Sequence, residues 1–221
     1  MVLARFKDLV VDAVDPAALG VFLAGAVGLD RVALDDGDGK LTGPTPQHTI
    51  WINRVPEPKT VKHRVHLDLY ARSIADLEAL GARKVEEFPE WTVMQDVEGG
   101  EFCAFLRDDL PRDRIHGLVV DCADRRAQAA WWASVYDADV AHHQGWSTVE
   151  NIPGMPVGAF DFVQVPEPKT VKNRVHWDVH ADVADLAAAG ARVLRERDAE
   201  ISWTVMADPE GNEFCVFDPE T

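Results

Sequence analysis

The 221-residue chain repeats itself, and no other feature constrains its fold as strongly. VPEPKTVKHRVHLDLYA at 55–71 returns as VPEPKTVKNRVHWDVHA at 165–181, with 13 of 17 positions identical. WTVMQDVEGGEFCAF at 91–105 returns as WTVMADPEGNEFCVF at 203–217, with 11 of 15 identical. LVVDAVDPAALGVF, from Leu9, pairs more weakly with LVVDCADRRAQAAW, from Leu118. The copies therefore run over residues 3–108 and 113–219. A charged seam containing Pro111 joins them at 107–113, as a linker should. So short a seam implies that the copies pack on each other.

Each copy divides again. A short apolar run at 7–11 leads to Asp15-Pro16, an N-cap followed by proline at the first helical position. An Ala/Leu-rich helix is predicted over 17–27, closed by Gly28. Strands follow at 31–34, 40–42 and 49–55. After the PEPKTVK loop the pattern restarts with a strand at 64–71 and a helix from Ser73 to Leu80, ended by Gly81. Strands at 83–86, 91–95 and 101–106 complete the unit. The order strand, helix, three strands thus occurs four times in the chain, which is an α+β pattern.

The 47% hydrophobic content supports a folded core. A formal net charge of -16 repels phosphate backbones and anionic bilayers, so neither nucleic acid nor membrane is an expected partner. The opening residues MVLARFKD meet charge at once, and neither a signal peptide nor a membrane span is expected. Cys103, Cys122 and Cys215 are odd in number, far apart and each in a strand-like run. They form no disulfide framework, which fits a cytoplasmic location. No nucleophile elbow, phosphate loop or dinucleotide fingerprint is present. A small-molecule ligand is the expected partner, with the chain a monomer or homodimer.

Strand alternation puts Arg64, His66, Asp68 and Tyr70 on one face and Val65, Leu67 and Leu69 on the other. The second copy gives Arg174, His176, Asp178 and His180. A hydrophobic core does not need four polar residues on one strand face, so these are expected to line a ligand-sized cavity. Lys59, Lys62 and Arg64, repeated as Lys169, Lys172 and Arg174, have two readings. They form either an anion-recognising rim or a solvated loop whose arginines pair with nearby carboxylates. Trp51 and Trp146 lie on short strands that can face the cavity, whereas Trp91, Trp131 and Trp203 read as core. Asp12 and Asp121 either line the cavity or cap the next helix. His142 and His143 read as surface.

The RVHLDL and RVHWDV strands, the DVEGGEFCAF and DPEGNEFCVF hairpins and the LVVDAVDPAALGVF segment together resemble the glyoxalase/bleomycin-resistance (vicinal oxygen chelate) superfamily over nearly the whole chain. The resemblance implies two tandem domains, each of paired βαβββ modules whose sheets curve into a cup. Such a cup commonly holds a divalent metal ion, the one candidate cofactor here. Its ligands come from the first strand of one module, a His on the first strand of the next, and a Glu on the last strand. His66 and His176 match the His. The Glu position, seven residues after Asp96 and Asp208, holds Cys103 and Cys215. The first-strand position holds Asp8 in one copy and Gly117 in the other. The resemblance therefore groups Asp8, His66 and Cys103 in the first copy, and His176 and Cys215 in the second. His116, beside Gly117, faces the cup only if a one-residue bulge intervenes. Glu101 and Glu213 share the face of the cysteines and are the candidate general bases of a metal-dependent lyase or isomerase. The alternative is a metal-free protein that sequesters a drug-like or cationic ligand. In either case Trp51, Arg64, Asp68, Tyr70, Arg174, Asp178 and His180 are the candidate ligand contacts.

Overall fold

The structure, a computed structural model, describes residues 2–219. Four βαβββ modules follow one another. The first comprises β1 (Ala4–Ala13), α1 (Pro16–Val27), β2 (Asp30–Ala33), β3 (Gly39–Thr42) and β4 (Ile50–Arg54). The second comprises β5 (Val65–Ala71), α2 (Ile74–Ala79), β6 (Arg83–Glu87), β7 (Thr92–Gln95) and β8 (Glu101–Leu106). The third comprises β9 (Ile115–Cys122), α3 (Arg125–Tyr136), β10 (Asp139–His142), β11 (Trp146–Glu150) and β12 (Ala159–Gln164). The fourth comprises β13 (Val175–Ala181), α4 (Val183–Ala188), β14 (Arg192–Arg195), β15 (Thr204–Ala207) and β16 (Glu213–Phe217).

The helix starts follow their capping chemistry. The Asp15 carboxylate accepts from the backbone N–H groups of Ala17 and Ala18, and Asp124 does the same for Arg126 and Ala127. Gly28 closes α1 at φ 76°, the left-handed conformation glycine adopts without a steric cost.

The modules form two eight-stranded sheets, ordered β14-β15-β16-β13-β1-β4-β3-β2 and β10-β11-β12-β9-β5-β8-β7-β6. The first, here the terminal sheet, joins the first module to the fourth. The second, the middle sheet, joins the second to the third. Modules are thus paired, but each takes its partner from the other sequence repeat. The central antiparallel pairs are β1 with β13 and β5 with β9. Backbone hydrogen bonds extend both pairs at equivalent places, from Asp12 N to Arg174 O and from Asp121 N to Arg64 O, each 2.7 Å.

One hydrophobic core lies between the sheets and holds the two long helices. Phe22 of α1 meets Phe102 of the middle sheet at 5.7 Å between ring centroids. Trp132 of α3, fully buried, meets Trp177 and Phe214 of the terminal sheet at 5.0 and 5.1 Å. Edge-on aromatic pairs of this kind bury large apolar areas at fixed geometry. The inner strand faces supply Val65, Leu67, Leu69, Val175, Trp177 and Val179, all buried. The opposite faces are left for the polar residues, as the alternation requires.

Candidate functional site

Each sheet presents one cup. Its centre is a histidine and an aspartate on the first strand of a module and a cysteine on the last. In the middle cup these are His66 and Asp68 of β5 and Cys103 of β8; in the terminal cup they are His176 and Asp178 of β13 and Cys215 of β16. In each trio one nitrogen, one oxygen and one sulfur lie within 4.8 Å of one another. Parallel pairing places Asp68 directly beside Cys103 and Asp178 beside Cys215. In the middle cup, Cys103 Sγ is 3.6 Å from His66 Nε2, and Asp68 Oδ1 is 3.5 Å from the same nitrogen.

These groups are buried with incomplete hydrogen bonding. Asp68 and Asp178 are 8% and 4% exposed, yet Oδ1 of each accepts no hydrogen bond. Nδ1 of His66 and of His176 also lacks a partner. A buried polar atom left this way costs about 1–3 kcal/mol, so such atoms in a cup call for a ligand or ion. Burial, and then the neighbouring aspartate, push both cysteine thiols far up, so they stay protonated without a metal. Burial drives His176 down to about 4, and it is neutral near pH 7. Burial, then Asp8, raise Asp178 well above the usual carboxylate range.

The cross-pairing regroups the expected ligands. Asp8 does not join His66 and Cys103, because its strand lies in the other sheet. It pairs with Asp178 in the terminal cup, and Gly117 takes the same place beside Asp68 in the middle cup. A bulge is present at both positions. The register passes from Phe6 to Asp8 on β1 and from Ile115 to Gly117 on β9, leaving Lys7 and His116 as the extra residues. A bulged residue escapes strict alternation, and both side chains turn to the cup. Lys7 Nζ sits 4.2 Å over the Phe217 ring. His116 sits 4.5 Å from the Tyr70 ring and 5.0 Å from that of Phe105, the counterpart of Phe217.

Other sequence-derived residues are placed as follows. Trp51 does reach the terminal cup, donating its Nε1–H to Asp8 Oδ2 at 2.9 Å. Trp203, expected in the core, instead lines this cup and stacks on Phe217 at 5.6 Å. Trp91 likewise stacks on Phe105 at 6.2 Å beside the middle cup. Trp131 is only partly buried and donates to Ala189 O. The terminal cup encloses about 440 Å³. Tyr70 faces the middle cup with the Arg107 guanidinium 4.6 Å above its ring. His180 Nδ1 lies 2.8 Å from Asp218 O at the rim of the terminal sheet. His142 and His143 are exposed, as expected, with Trp146 stacked on His143.

Glu101 and Glu213 face the cups but hold the PEPKTVK loops. Glu101 accepts from Lys59 Nζ at 2.8 Å and from His63 N at 2.9 Å. Glu213 accepts from Lys169 Nζ at 2.6 Å and from Asn173 N at 3.1 Å. Burial works to raise the Glu101 carboxyl, but these donors outweigh it and hold it below its ordinary range. The arginines bind the opposite repeat. Arg64 donates to Glu167 O and Asp121 O, and Arg174 to Glu57 O and the Glu98 carboxylate. Asp12 and Asp121 cap no helix; they pair with Lys172 and Lys62 at 2.6 and 2.7 Å, beside a cavity of about 610 Å³ between the two loops.

Two residues escaped the sequence reading. Asp161 of β12 accepts from Thr148 Oγ1 at 2.5 Å, and burial raises its carboxyl to about 6. It stands opposite Val119, as Trp51 stands opposite Val10. A lone acid between Phe160 and Phe162 was its available signal. Lys7 had none, because the bulge that turns it inward leaves no mark in Phe6-Lys7-Asp8.

Solved structures confirm the architecture. Glyoxalase I from Zea mays superposes with a TM-score of 0.68 at 11% identity, covering 97% of this chain and 92% of that one. A putative dioxygenase from Bacillus subtilis gives 0.65 at 14%, covering 98% and 86%. The cppA protein from Streptococcus pneumoniae gives 0.53 at 10%, covering 97% of each. At these identities the likeness is one of fold. No curated protein sequence matches the chain. Among the described residues, no helix is long and apolar enough to cross a membrane. The glyoxalase-like domain family matches twice, at residues 8–105 and 117–217. With both repeats matched and the two-sheet architecture shared, the chain belongs to the glyoxalase-like domain family.

Proposed function

We propose that this protein is a metal-dependent enzyme of lyase or isomerase type acting on a small oxygen-bearing molecule. The observation that carries this reading is the buried His–Asp–Cys trio, placed identically in both cups and left with unpartnered carboxylate oxygens. The donor set fits a borderline divalent ion. Imidazole, carboxylate and thiolate together suit zinc or a neighbouring transition metal better than magnesium. When bound, such an ion supplies Lewis-acid polarisation of a carbonyl or enediolate oxygen.

The chain's own residues supply the rest. His66, Asp68 and Cys103 would hold the ion in the middle cup, with Cys103 losing its proton on binding. Tyr70, Phe105 and Trp91 wall the cup and exclude water from the ligand. His116, half-buried and lowered by burial, is neutral near pH 7 and can accept a proton at a ring nitrogen. In this reading Glu101 and Glu213 are positioning residues that hold the loops against the cup rims. Their side-chain oxygens are already committed to those loops.

Ligand sequestration without chemistry is the second reading. Trp51, Trp203 and Phe217 favour it, because they give the terminal cup aromatic walls suited to a planar ligand. Metal analysis of protein purified without chelator separates the two. Bound transition metal at one or two equivalents, lost from the His66→Ala/His176→Ala double variant, supports the enzyme reading. Metal-free protein that stays metal-free after incubation with zinc or cobalt would refute it.

A further inference from the structure

The two cups share a trio but differ in the residues around it, and the differences are matched in charge. In the terminal cup Asp8 and Asp178 are neighbours on paired strands, both buried. Lys7 Nζ stands 2.7 Å from Asp8 Oδ2 and 3.7 Å from Asp178 Oδ2. Its ammonium is therefore a fixed cation between the two carboxylates. Trp51 Nε1 donates to the same Asp8 oxygen, so that oxygen already has two donors. An incoming dication would meet a like charge within the site itself.

Among the described residues no lysine stands at this position in the middle cup, where the Arg107 guanidinium lies over the Tyr70 ring at the rim. His116 takes the place of Lys7, so an imidazole stands where the terminal cup has an ammonium. Gly117 takes the place of Asp8, which removes a carboxylate. Asp161 restores it from the next strand. A Cβ built on Gly117 would lie 3.8 Å from Asp161 Oδ2, so the carboxylate sits against the space the glycine leaves open. The substitutions at these strand positions compensate each other. Asp8 beside Trp51 in one cup becomes Gly117 beside Asp161 in the other.

We propose that the cups carry different cations: the middle cup binds the divalent metal, with Asp161 replacing the carboxylate absent at Gly117, while Lys7 fills the cation position of the terminal cup. This rests on the metal-binding reading above and assigns it to one site. The middle cup then holds the dication with His66, Asp68 and Cys103, with the Asp161 carboxylate beside them and His116 left as the nearby proton acceptor. The terminal cup presents an ammonium-bridged carboxylate pair beneath aromatic walls.

The test is metal stoichiometry on the full chain, loaded with cobalt(II) and dialysed, with thiolate-to-cobalt charge-transfer absorption as the second readout. The expected result is one equivalent per chain. It is lost in His66→Ala, weakened at least tenfold in Asp161→Asn, and kept in His176→Ala. Lys7→Met is expected to raise the count to two, the second carrying thiolate absorption that Cys215→Ser removes. Circular dichroism checks that each variant is folded, and Asp161→Glu, which keeps the carboxylate, should retain the metal. Two equivalents in the unaltered protein would overturn the proposal while leaving the metal-binding reading intact. So would one equivalent lost with His176→Ala and kept with His66→Ala. No cobalt in any variant would overturn both.

Discussion

Gly28 offers a clean measurement of how the inter-repeat seam is held. It closes α1 at φ 76°, and a Cβ there would lie 2.0 Å from the carbonyl oxygen of Arg112. The seam docks on this helix end through Arg114, whose N–H donates to Val27 O at 2.9 Å and whose guanidinium donates to Gly25 O at 2.8 Å. Gly28→Ala forces alanine into a left-handed conformation, costing about 1 kcal/mol. It also drives the seam away from the helix, because the contact is with backbone and cannot yield by a rotamer change. Losing the two Arg114 hydrogen bonds adds about 1 kcal/mol each, for a total of about 3 kcal/mol. Gly99 is the control, with φ 81° and nothing within 4 Å of an added Cβ. Gly99→Ala should cost only the conformational part, about 1 kcal/mol. Urea denaturation of both variants measures the difference. The seam also leads directly into the β9 bulge, so Gly28→Ala should weaken cobalt binding while Gly99→Ala should not. Equal destabilisation by the two alanines would refute the account of the seam.

Three further outcomes are expected. In chelator-treated protein, His63 and His176 have folded-state values of about 4, set chiefly by burial, against about 6.5 when unfolded. Because the unfolded state takes up these protons first, stability is full above pH 6.5 and falls as pH drops towards 4, by up to about 3 kcal/mol per histidine. Buried carboxylates oppose this loss, because the folded state holds their protons more tightly: Asp161, raised to about 6, and Asp178, raised well above its ordinary range, both add stability as pH falls. The histidine part is isolated in the His63→Gln/His176→Gln variant, whose urea midpoint should fall less between pH 7 and 4.5 than that of the unaltered chain; an equal fall in both would contradict this assignment. Glu213→Gln removes the charge paired with Lys169, where both side chains are 14% exposed, and should cost about 1–2 kcal/mol. Limited trypsin digestion should then cut at Lys169 and Lys172 faster than in the unaltered chain; an unchanged rate would show that Glu213 does not hold the loop. Finally, the first repeat expressed alone contains two modules that share no sheet. It should form a homodimer in which β1 of one copy pairs with β5 of the other, because β5 and β13 are near copies. A folded monomer by light scattering would count against that pairing.

The elements were legible because each carries local chemistry. The helix over 17–27 came from Asp15, Pro16 and Gly28, and the observed helix, Pro16–Val27, differs by one residue. The strand at 101–106 matches its prediction, and the alternation of β5 placed His66 and Asp68 on the cup face with Leu67 and Leu69 buried opposite. The partnering of modules was not legible, for a physical reason. RVHLDL and RVHWDV offer β1 nearly the same edge, so local pattern cannot choose between β5 and β13. Within one repeat, the resemblance therefore groups Asp8 with His66, whereas the structure pairs it with Asp178. The bulges at Lys7 and His116 lie outside local pattern as well, since one unpaired residue needs no glycine or proline. Trp203 misled because an indole at a strand start reads as core, whereas here its ring walls a cup.

The nested pairing also sets an order for assembly. The middle sheet uses modules adjacent in the chain, so β5 meets β9 with only the rest of the second module and the seam between them. The terminal sheet requires Ala4 to find Ala181, nearly the full length of the chain away. Loop-closure entropy makes the first event fast and the second slow. During synthesis β1 leaves the ribosome well before β13, and its pairing edge waits for that partner. Until then that edge is open to any neighbouring chain offering an RVH strand, including another copy of its own first repeat. Crowded translation should therefore favour swapped dimers, and slow release of the fourth module should prolong that exposure.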